Sequence, residues 1–267
     1  MKKILVPTDF SLNADKALNY AVQLAKKTGG EILLIHVVDS GEPENAGITA
    51  EEKMTPVINS IYAQEGVKAS LKIYRGSIIN TIAGAVGDCN ADLVVMGTIG
   101  NSAIKEKIFG SRTAAVIGKS QVPVLAIPLL AEWKAPSRIL AAINKFDQED
   151  DTLAPLINLA RLFGSAVQVA IFTDTDDDYV EDYDEHEGKI AVYTEQLKTS
   201  FPDVEIHAVH LAGKHFRENL ENWISKNNID ILMMLTHKRN IVESIFNRSM
   251  TKKMSYHTEV PLLAIPV

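Results

Sequence analysis

The stretch MGTIGNSAIKEKIFGS, residues 96–111, has glycines and a serine at a spacing that could bind a phosphate group. Gly97 and Gly100 follow an apolar run, and Gly110 and Ser111 precede a run typical of a helix. Glycine allows several backbone N–H groups to point at one anion because it has no Cβ. The amino end of a helix adds unpaired N–H groups and a favourable dipole. The residues alone fit a phosphate-binding loop and a plain strand-to-helix connection equally well.

Asp9 is a second candidate for chemistry, because it follows the apolar run of residues 4–8. A carboxylate at the carboxyl end of a parallel strand can accept hydrogen bonds from ribose hydroxyls. The alternative is that Asp9 only helps Ser11 to cap the first helix, since both residue types are favoured at helix starts. The residues themselves leave both interpretations open.

A unit of about 130 residues occurs twice in the chain. ILVPTD at 4–9 is similar to ILAAIN at 139–144, and VPVLAIP at 122–128 is similar to VPLLAIP at 260–266. The junction is near residues 129–137, where a proline and polar residues suit a short linker. We therefore predict two domains, residues 1–130 and 137–267.

Within each unit, continuously apolar segments alternate with amphipathic ones. Such apolar strands, separated by helices, indicate a parallel sheet that is covered on both faces. The predicted fold class is α/β, with two tandem repeats, each a five-stranded and mostly parallel sheet with helices on both faces. This Rossmann-like, nucleotide-binding architecture binds ligands at the carboxyl ends of the strands, where the strand order reverses.

The spacing Gly97-x2-Gly100-x9-Gly110-Ser111 resembles the ATP-binding motif of the universal stress protein family. The similarity extends to ILVPTDFS, LLIHVVD and VPVLAIP in the first repeat, and it covers both repeats. The chain therefore resembles a tandem universal stress protein. The resemblance also implies that the apolar strands ending the two repeats pair across a pseudo-twofold axis.

The resemblance implies that the first repeat binds ATP. Asp9, with Pro7 and Thr8, would lie beside adenine and ribose, and Val38 would flank the adenine. The phosphates would be held by the glycines, by Ser111 and by the backbone of Arg112. The full set of implied binding residues is Pro7, Thr8, Asp9, Val38, Met96, Gly97, Gly100, Gly110, Ser111 and Arg112. ADP, AMP and cyclic nucleotides share the same groups, and ATP could bring Mg²⁺ with it.

The second repeat departs from this pattern. Its counterparts of Asp9, Gly97, Gly100 and Gly110 are Asn144, Leu235, Lys238 and Arg248, and only the serine is kept, as Ser249. The branched side chain of leucine would lie where backbone must approach phosphate. We therefore expect one ATP site, in the first repeat. His237, Lys238, Arg239 and Arg248 fit a smaller anion or, as we favour, a solvated positive edge.

Composition excludes several other function classes. Residues 1–130 carry a net charge of +1 and residues 131–267 carry −8, so neither half has the basic surface that nucleic-acid binding needs. No apolar run approaches the roughly 20 residues of a membrane span. A single cysteine, Cys89, excludes an internal disulfide. We expect a cytoplasmic protein without nucleic-acid or membrane partners.

No metal site is assigned from the sequence. The acidic run at 174–187 imitates a calcium loop, but Tyr179 stands where that loop needs glycine, and the run follows a strand instead of a helix. A solvated acidic loop is the favoured interpretation. The seven histidines show no clustered ligand spacing.

These observations favour a stress-response protein that acts as a nucleotide-dependent binding or regulatory module. A second hypothesis is a weak enzyme that hydrolyses ATP slowly or phosphorylates itself on Ser111 or a nearby hydroxyl. Phosphoryl transfer needs a water activator and usually a metal ligand, and Asp9 is the only strong carboxylate in the motif, so no catalytic residue is assigned. A third hypothesis is a nucleotide-free scaffold. A homodimer of whole chains and an unidentified protein partner are left open.

Overall fold

The computed structural model describes residues 1–98, 111–143, 146, 150–174, 180–214, 216–236 and 259–267. The predictions for Gly100 and Gly110 fall outside these residues, as do those for Asn144, residues 237–239, Arg248 and Ser249.

The first repeat alternates strands and helices as predicted. Its strands are β1 (Lys3–Thr8), β2 (Glu31–Val38), β3 (Ala69–Arg75), β4 (Leu93–Gly97) and β5 (Val124–Ile127), and its helices are α1 (Leu12–Thr28), α2 (Ala46–Glu65), α3 (Ile78–Asp88) and α4 (Ser111–Lys119). The second repeat has strands β6 (Arg138–Ile143), β7 (Ala166–Asp174), β8 (Ile206–Gly213), β9 (Ile231–Thr236) and β10 (Leu262–Pro266), with helices α5 (Asp150–Phe163), α6 (Val180–Ser200) and α7 (Phe216–Lys226).

The ten described strands form one continuous sheet in the order β3-β2-β1-β4-β5-β10-β9-β6-β7-β8. The strands pair in parallel within each repeat. At the centre, β5 and β10 pair antiparallel, with Leu125 opposite Leu263. This pairing confirms the expectation that the apolar strands ending the two repeats meet, so the two predicted sheets are halves of one sheet.

Helices cover both faces of the sheet, which confirms the predicted α/β class. Ile4 and Val6 pack with α1, α2, α5 and α6 in one core. Leu5 packs with α3, α4 and α7 in the other core. Successive strand side chains point to opposite faces, and a strand buried on both faces must be apolar throughout.

A carboxylate just before β4 and another just before β9 stabilise the start of the first strand in each repeat. Asp92 accepts hydrogen bonds from the backbone N–H groups of Lys2 and Lys3, at 2.6 and 2.9 Å. Asp230 accepts them from the backbone of Ser137 and Arg138, at 2.7 and 3.0 Å. The repeats therefore share this hydrogen-bonded junction although their ligand motifs differ.

The acidic run near residue 180 is partly helical, which corrects the prediction of a loop there. Helix α6 begins at Val180, and Glu185 forms an i,i+4 ion pair with Lys189 within it. The positions Asp176 and Asp178 lie outside the described residues. Within the described part of the chain, no helix is both long enough and apolar enough to span a bilayer.

Candidate functional site

A cleft of about 550 Å³ lies at the carboxyl ends of β1, β2 and β4 in the first repeat. Strands β2 and β4 flank β1. The chain goes from β1 to β2 and β3 on one side and then continues with β4 and β5 on the other side, so the strand order reverses here. Ligands of open α/β sheets bind at such reversals of strand order. The cleft is lined by Pro7, Thr8, Asp9, Phe10, Ser11, Ala14, Ile35, His36, Val37, Asp39, Glu42, Pro43, Asn45, Ala46, Thr49, Ala50, Lys53, Ile78, Ile82, Met96, Gly97, Arg112 and Thr113.

The turn between β1 and α1 is fixed by its own side chains. Ser11 is the N-cap of α1, and its hydroxyl accepts from the backbone N–H of Ala14 at 3.2 Å. The carboxylate of Asp9 accepts from the N–H of Ser11 at 3.1 Å. Asp9 therefore supports the helix start, as the structural alternative proposed, and the same residue lines the cleft.

Phe10 follows Asp9 with a φ of 61°, a left-handed conformation that is uncommon for a bulky side chain. Its ring centroid lies 4.7 Å from that of His36, and the Lys53 ammonium lies 5.2 Å from the centre of the ring. His36 is itself held by a 2.9 Å hydrogen bond from Nδ1 to the carbonyl of Thr8. These three side chains form one wall of the cleft, and the motif comparison did not identify them.

Gly97 is required by packing as well as by its position in the motif. A Cβ at Gly97 would lie 2.6 Å from Cγ of Asn13 and 3.0 Å from the Asn13 carbonyl oxygen. Asn13 is buried and donates to the carbonyl of Ile127 at 2.9 Å. The space that was expected to admit a phosphate is therefore taken, at this glycine, by the first turn of α1.

The remaining predicted residues divide into three groups. Met96 and Arg112 line the cleft with Pro7 and Thr8. Val38 does not, and its neighbour Val37 lines the cleft instead. Ser111 is the exposed first residue of α4 and is outside the lining set, and Gly100 and Gly110 are not among the described residues.

The charged side chains that line the cleft are three carboxylates, Lys53 and Arg112. Asp9 follows β1, and Asp39 and Glu42 follow β2, so the carboxylates lie over that side of the sheet. Arg112 lies beyond β4, in the first turn of α4. Burial raises the pKa of Asp15 in the first turn of α1, and the charge of Asp9 raises it further. An anionic group is therefore best accommodated at the α4 end.

The second repeat has a hydrogen-bonded polar cluster at the corresponding strand ends. Thr173, the counterpart of Val38, has its Oγ1 at 2.6 Å from Nδ1 of His186 and 2.8 Å from Nε2 of His210. Glu187 contacts the other nitrogen of His210 at 2.8 Å, and Phe146 packs 5.3 Å from His186. We call these five residues the Thr173 cluster. His186 and His210 lie on different elements, so sequence spacing gave no sign of their contact.

The Thr173 cluster does not qualify as a metal centre. In the ranges that the structure describes, no three His, Cys, Asp or Glu side chains are arranged to hold a metal ion. The Thr173 hydroxyl and the two imidazole rings instead form hydrogen bonds with each other, as buried polar groups normally do.

Comparison with known proteins agrees with the internal repeat. The chain matches the universal stress protein family over residues 1–128 and again over 136–266. A universal stress protein of Synechocystis sp. is 31% identical over 134 residues, covering 48% of this chain and 85% of the relative. One of Methanocaldococcus jannaschii is 30% identical over 152 residues, covering 47% of this chain and 94% of the relative.

A solved structure also matches the whole chain. A universal stress protein from Archaeoglobus fulgidus has a TM-score of 0.77 at 20% identity, with 99% of this chain and 98% of that chain covered. At this identity the match concerns the fold. With the two family matches and the curated relatives, it leads to one conclusion: the chain belongs to the universal stress protein family, with one family unit in each of its two repeats.

Proposed function

We propose that the first repeat binds an adenine nucleotide, ATP in the first instance, and that the chain acts as a nucleotide-dependent binding or regulatory module in the stress response. One observation carries the proposal. Residues that are distant in sequence and were selected from the motif line a single cleft, namely Pro7, Thr8, Asp9, Met96, Gly97 and Arg112.

The size and chemistry of the cleft support this ligand class. Its volume of about 550 Å³ is within the range of roughly 300–1,000 Å³ that is usual for small-molecule sites. Phe10, Val37 and Met96 offer apolar surface to a base, and Phe10 is the most exposed of the three. Asp9 offers a carboxylate, which is a suitable acceptor for ribose hydroxyls.

The charge distribution predicts the orientation of the nucleotide. Asp9, Asp39 and Glu42 outnumber Lys53 on the side of β1 and β2 and would repel phosphates, so the nucleoside belongs there. The phosphates then extend toward Arg112 and the amino end of α4, where cationic charge and the helix dipole are favourable. In this proposal Ser111 and the motif glycines Gly100 and Gly110 complete the phosphate contacts, and Mg²⁺ would accompany ATP. ADP and AMP would use the same nucleoside contacts.

The proposal assigns one site to each chain. Leu235 replaces Gly97 in the second repeat, so a branched side chain stands where the motif needs a glycine. Asn144 likewise replaces Asp9, so the carboxylate proposed for the ribose has no counterpart in the second repeat.

A pair of arginine substitutions tests the site. Gly110→Arg copies Arg248 of the second repeat into the motif, and calorimetric titration with ATP should then detect no binding. Gly84→Arg is the matched control, because Gly84 is exposed on α3 and a Cβ there meets open space. The control should keep the wild-type affinity. Retained ATP binding in the folded Gly110→Arg variant would refute the assignment.

A further inference from the structure

The outer wall of the cleft is the segment of residues 39–45, which joins β2 to α2. Four of its residues line the cleft: Asp39, Glu42, Pro43 and Asn45. Inside the segment, the described hydrogen bonds are local, from the N–H of Glu42 to the carbonyl of Asp39 at 3.0 Å and from Ser40 to the Asp39 carboxylate. Contacts from elsewhere in the fold must therefore hold this wall against the sheet.

One side chain from the neighbouring strand supplies such contacts. Arg75 donates from Nη1 to the carbonyl of Glu42 at 3.1 Å, and from Nη2 to the carbonyls of Pro43 and Glu44 at 3.0 and 3.4 Å. Three consecutive carbonyls thus converge on one guanidinium group. The planar fork of arginine can donate in several fixed directions at once, whereas lysine has a single compact ammonium group.

The base of Arg75 is fixed independently of the segment it holds. Arg75 is the last residue of β3 and lies opposite Val38, the last residue of β2. The next residue, Gly76, donates its N–H to the carbonyl of Val38 at 3.0 Å and has a φ of 146°, which few other residues adopt. The strand pair is therefore closed at the point where the 39–45 segment leaves it.

We propose that Arg75 is a positioning residue of the cleft, which orders the 39–45 wall before the ligand arrives and thereby strengthens nucleotide binding. It does so without lining the cleft itself. The inference rests on the proposed nucleotide site. A wall that is already ordered avoids the entropic penalty of being ordered on binding.

The test compares Arg75→Ala, Arg75→Lys and wild type in two measurements. Affinity for ATP is measured by calorimetry, and the exposure of residues 39–46 is followed by hydrogen exchange without nucleotide. Arg75→Ala should weaken ATP binding about tenfold and speed exchange in this segment. Arg75→Lys should resemble Arg75→Ala in both properties, because the donors of lysine share one nitrogen and do not span the carbonyls that Nη1 and Nη2 of arginine reach.

Arg161→Ala is the matched control. Arg161 is an exposed arginine of the second repeat whose guanidinium pairs with Asp203 at 2.7 and 2.8 Å, so its removal deletes the same charge far from the cleft. It should leave ATP affinity and exchange at 39–46 unchanged.

The outcomes separate the two proposals. If wild type binds no ATP, the nucleotide site is refuted and the role of Arg75 with it. If wild type binds ATP and Arg75→Ala binds it within twofold of wild type, only the role of Arg75 is refuted. Weaker binding with unchanged exchange at 39–46 would also refute it, since Arg75 would then act through its charge.

Discussion

At the scale of the residue, Phe10 shows how the cleft depends on local strain. Its left-handed φ of 61° turns the chain between β1 and α1 and directs the ring onto His36. Such backbone conformations in bulky residues cost on the order of 1–3 kcal/mol and are often found at ligand sites. Phe10 is 37% exposed, so its neighbours cover the residue only in part.

Phe10→Gly should therefore separate stability from binding. Glycine removes the strain but adds roughly 1 kcal/mol of unfolded-state entropy, so the free energy of unfolding should change by less than about 1 kcal/mol. Affinity for ATP should fall because the wall against His36 and Lys53 is lost. Urea unfolding and calorimetric titration measure the two effects. Phe10→Leu is the control that keeps both the strain and an apolar side chain, and equal ATP affinity in Phe10→Gly and wild type would contradict this account.

Sequence reasoning reached some of these residues and missed others for physical reasons. Asp9 and Gly97 belong to a linear motif, so their types and spacing are visible in the sequence. The choice between Val37 and Val38 depends on which face of β2 borders the cleft, and two adjacent valines give no sign of that. The position of the Phe10 side chain depends on an unusual φ, which the residue type alone does not indicate.

At the scale of the element, α1 begins at the cleft and packs closely over β4. Its start and end were predictable because the signals are local: Ser11 caps the helix, and Gly29 ends it with a φ of 65°. The start of helix α2 at Ala46 is harder to predict, because Asn45 makes no side-chain capping bond. The contact between Asn13 and Gly97 joins two elements and needs the fold to be seen.

Gly97→Ala tests that contact. The added methyl group would meet Asn13 at 2.6 Å, so we expect a loss of about 1–3 kcal/mol in the free energy of unfolding. In Gly97→Ala/Asn13→Ala the side-chain clash is gone, and the double variant should lose less stability than the sum of the two single variants. Strict additivity in urea unfolding would show that α1 does not approach β4 as closely as described.

The junction at Asp230 makes a prediction about pH. Burial by itself raises the pKa of this carboxyl, but hydrogen bonds from Lys134, Ser137 and Arg138 outweigh it, and the pKa is lowered. A carboxyl whose pKa is lower in the folded state stabilises the protein above its unfolded pKa, near 3.9. That stabilisation is lost as the pH falls through the folded pKa.

Asp230→Asn should therefore destabilise the chain by about 2 kcal/mol at pH 7. The difference from wild type in urea unfolding should persist at pH 5 and shrink as the pH falls below about 4. A difference that stayed constant down to pH 2.5 would mean that ionised Asp230 does not hold the start of β6.

At the scale of the whole molecule, the repeats share one sheet and an ordered linker. Tyr20 of α1 donates its hydroxyl to the carbonyl of Glu132 at 2.7 Å, and Trp133 packs edge-on against Tyr20 with centroids 5.0 Å apart. Burial, with the charges of Glu132 and Asp230, raises the pKa of Tyr20 to about 12, so its hydroxyl stays a neutral donor at neutral pH. Trp133 also contacts Phe163 of α5, at 5.9 Å. Helix α1, which begins at the cleft, is thus connected through Trp133 to the second repeat.

The same architecture serves two unequal halves. Each repeat contributes one strand to the β5–β10 pairing, and each has a carboxylate junction. The ligand motif is complete in only one repeat. The pairing of the repeats could be expected from the family resemblance. The Thr173 cluster could not, because its members come from separate elements. Both repeats therefore have the contacts that hold the sheet together, and the second repeat lacks residues proposed to bind the ligand.

The number of ATP molecules bound per chain tests this account most directly. Native mass spectrometry of the full chain, titrated with ATP and checked by identifying the nucleotide released on denaturation, gives that number. One ATP per chain, abolished by Gly110→Arg and kept by Gly84→Arg, is the predicted result. Two ATP molecules per chain would contradict the assignment of the second repeat, and none at saturating ATP would contradict the nucleotide site itself.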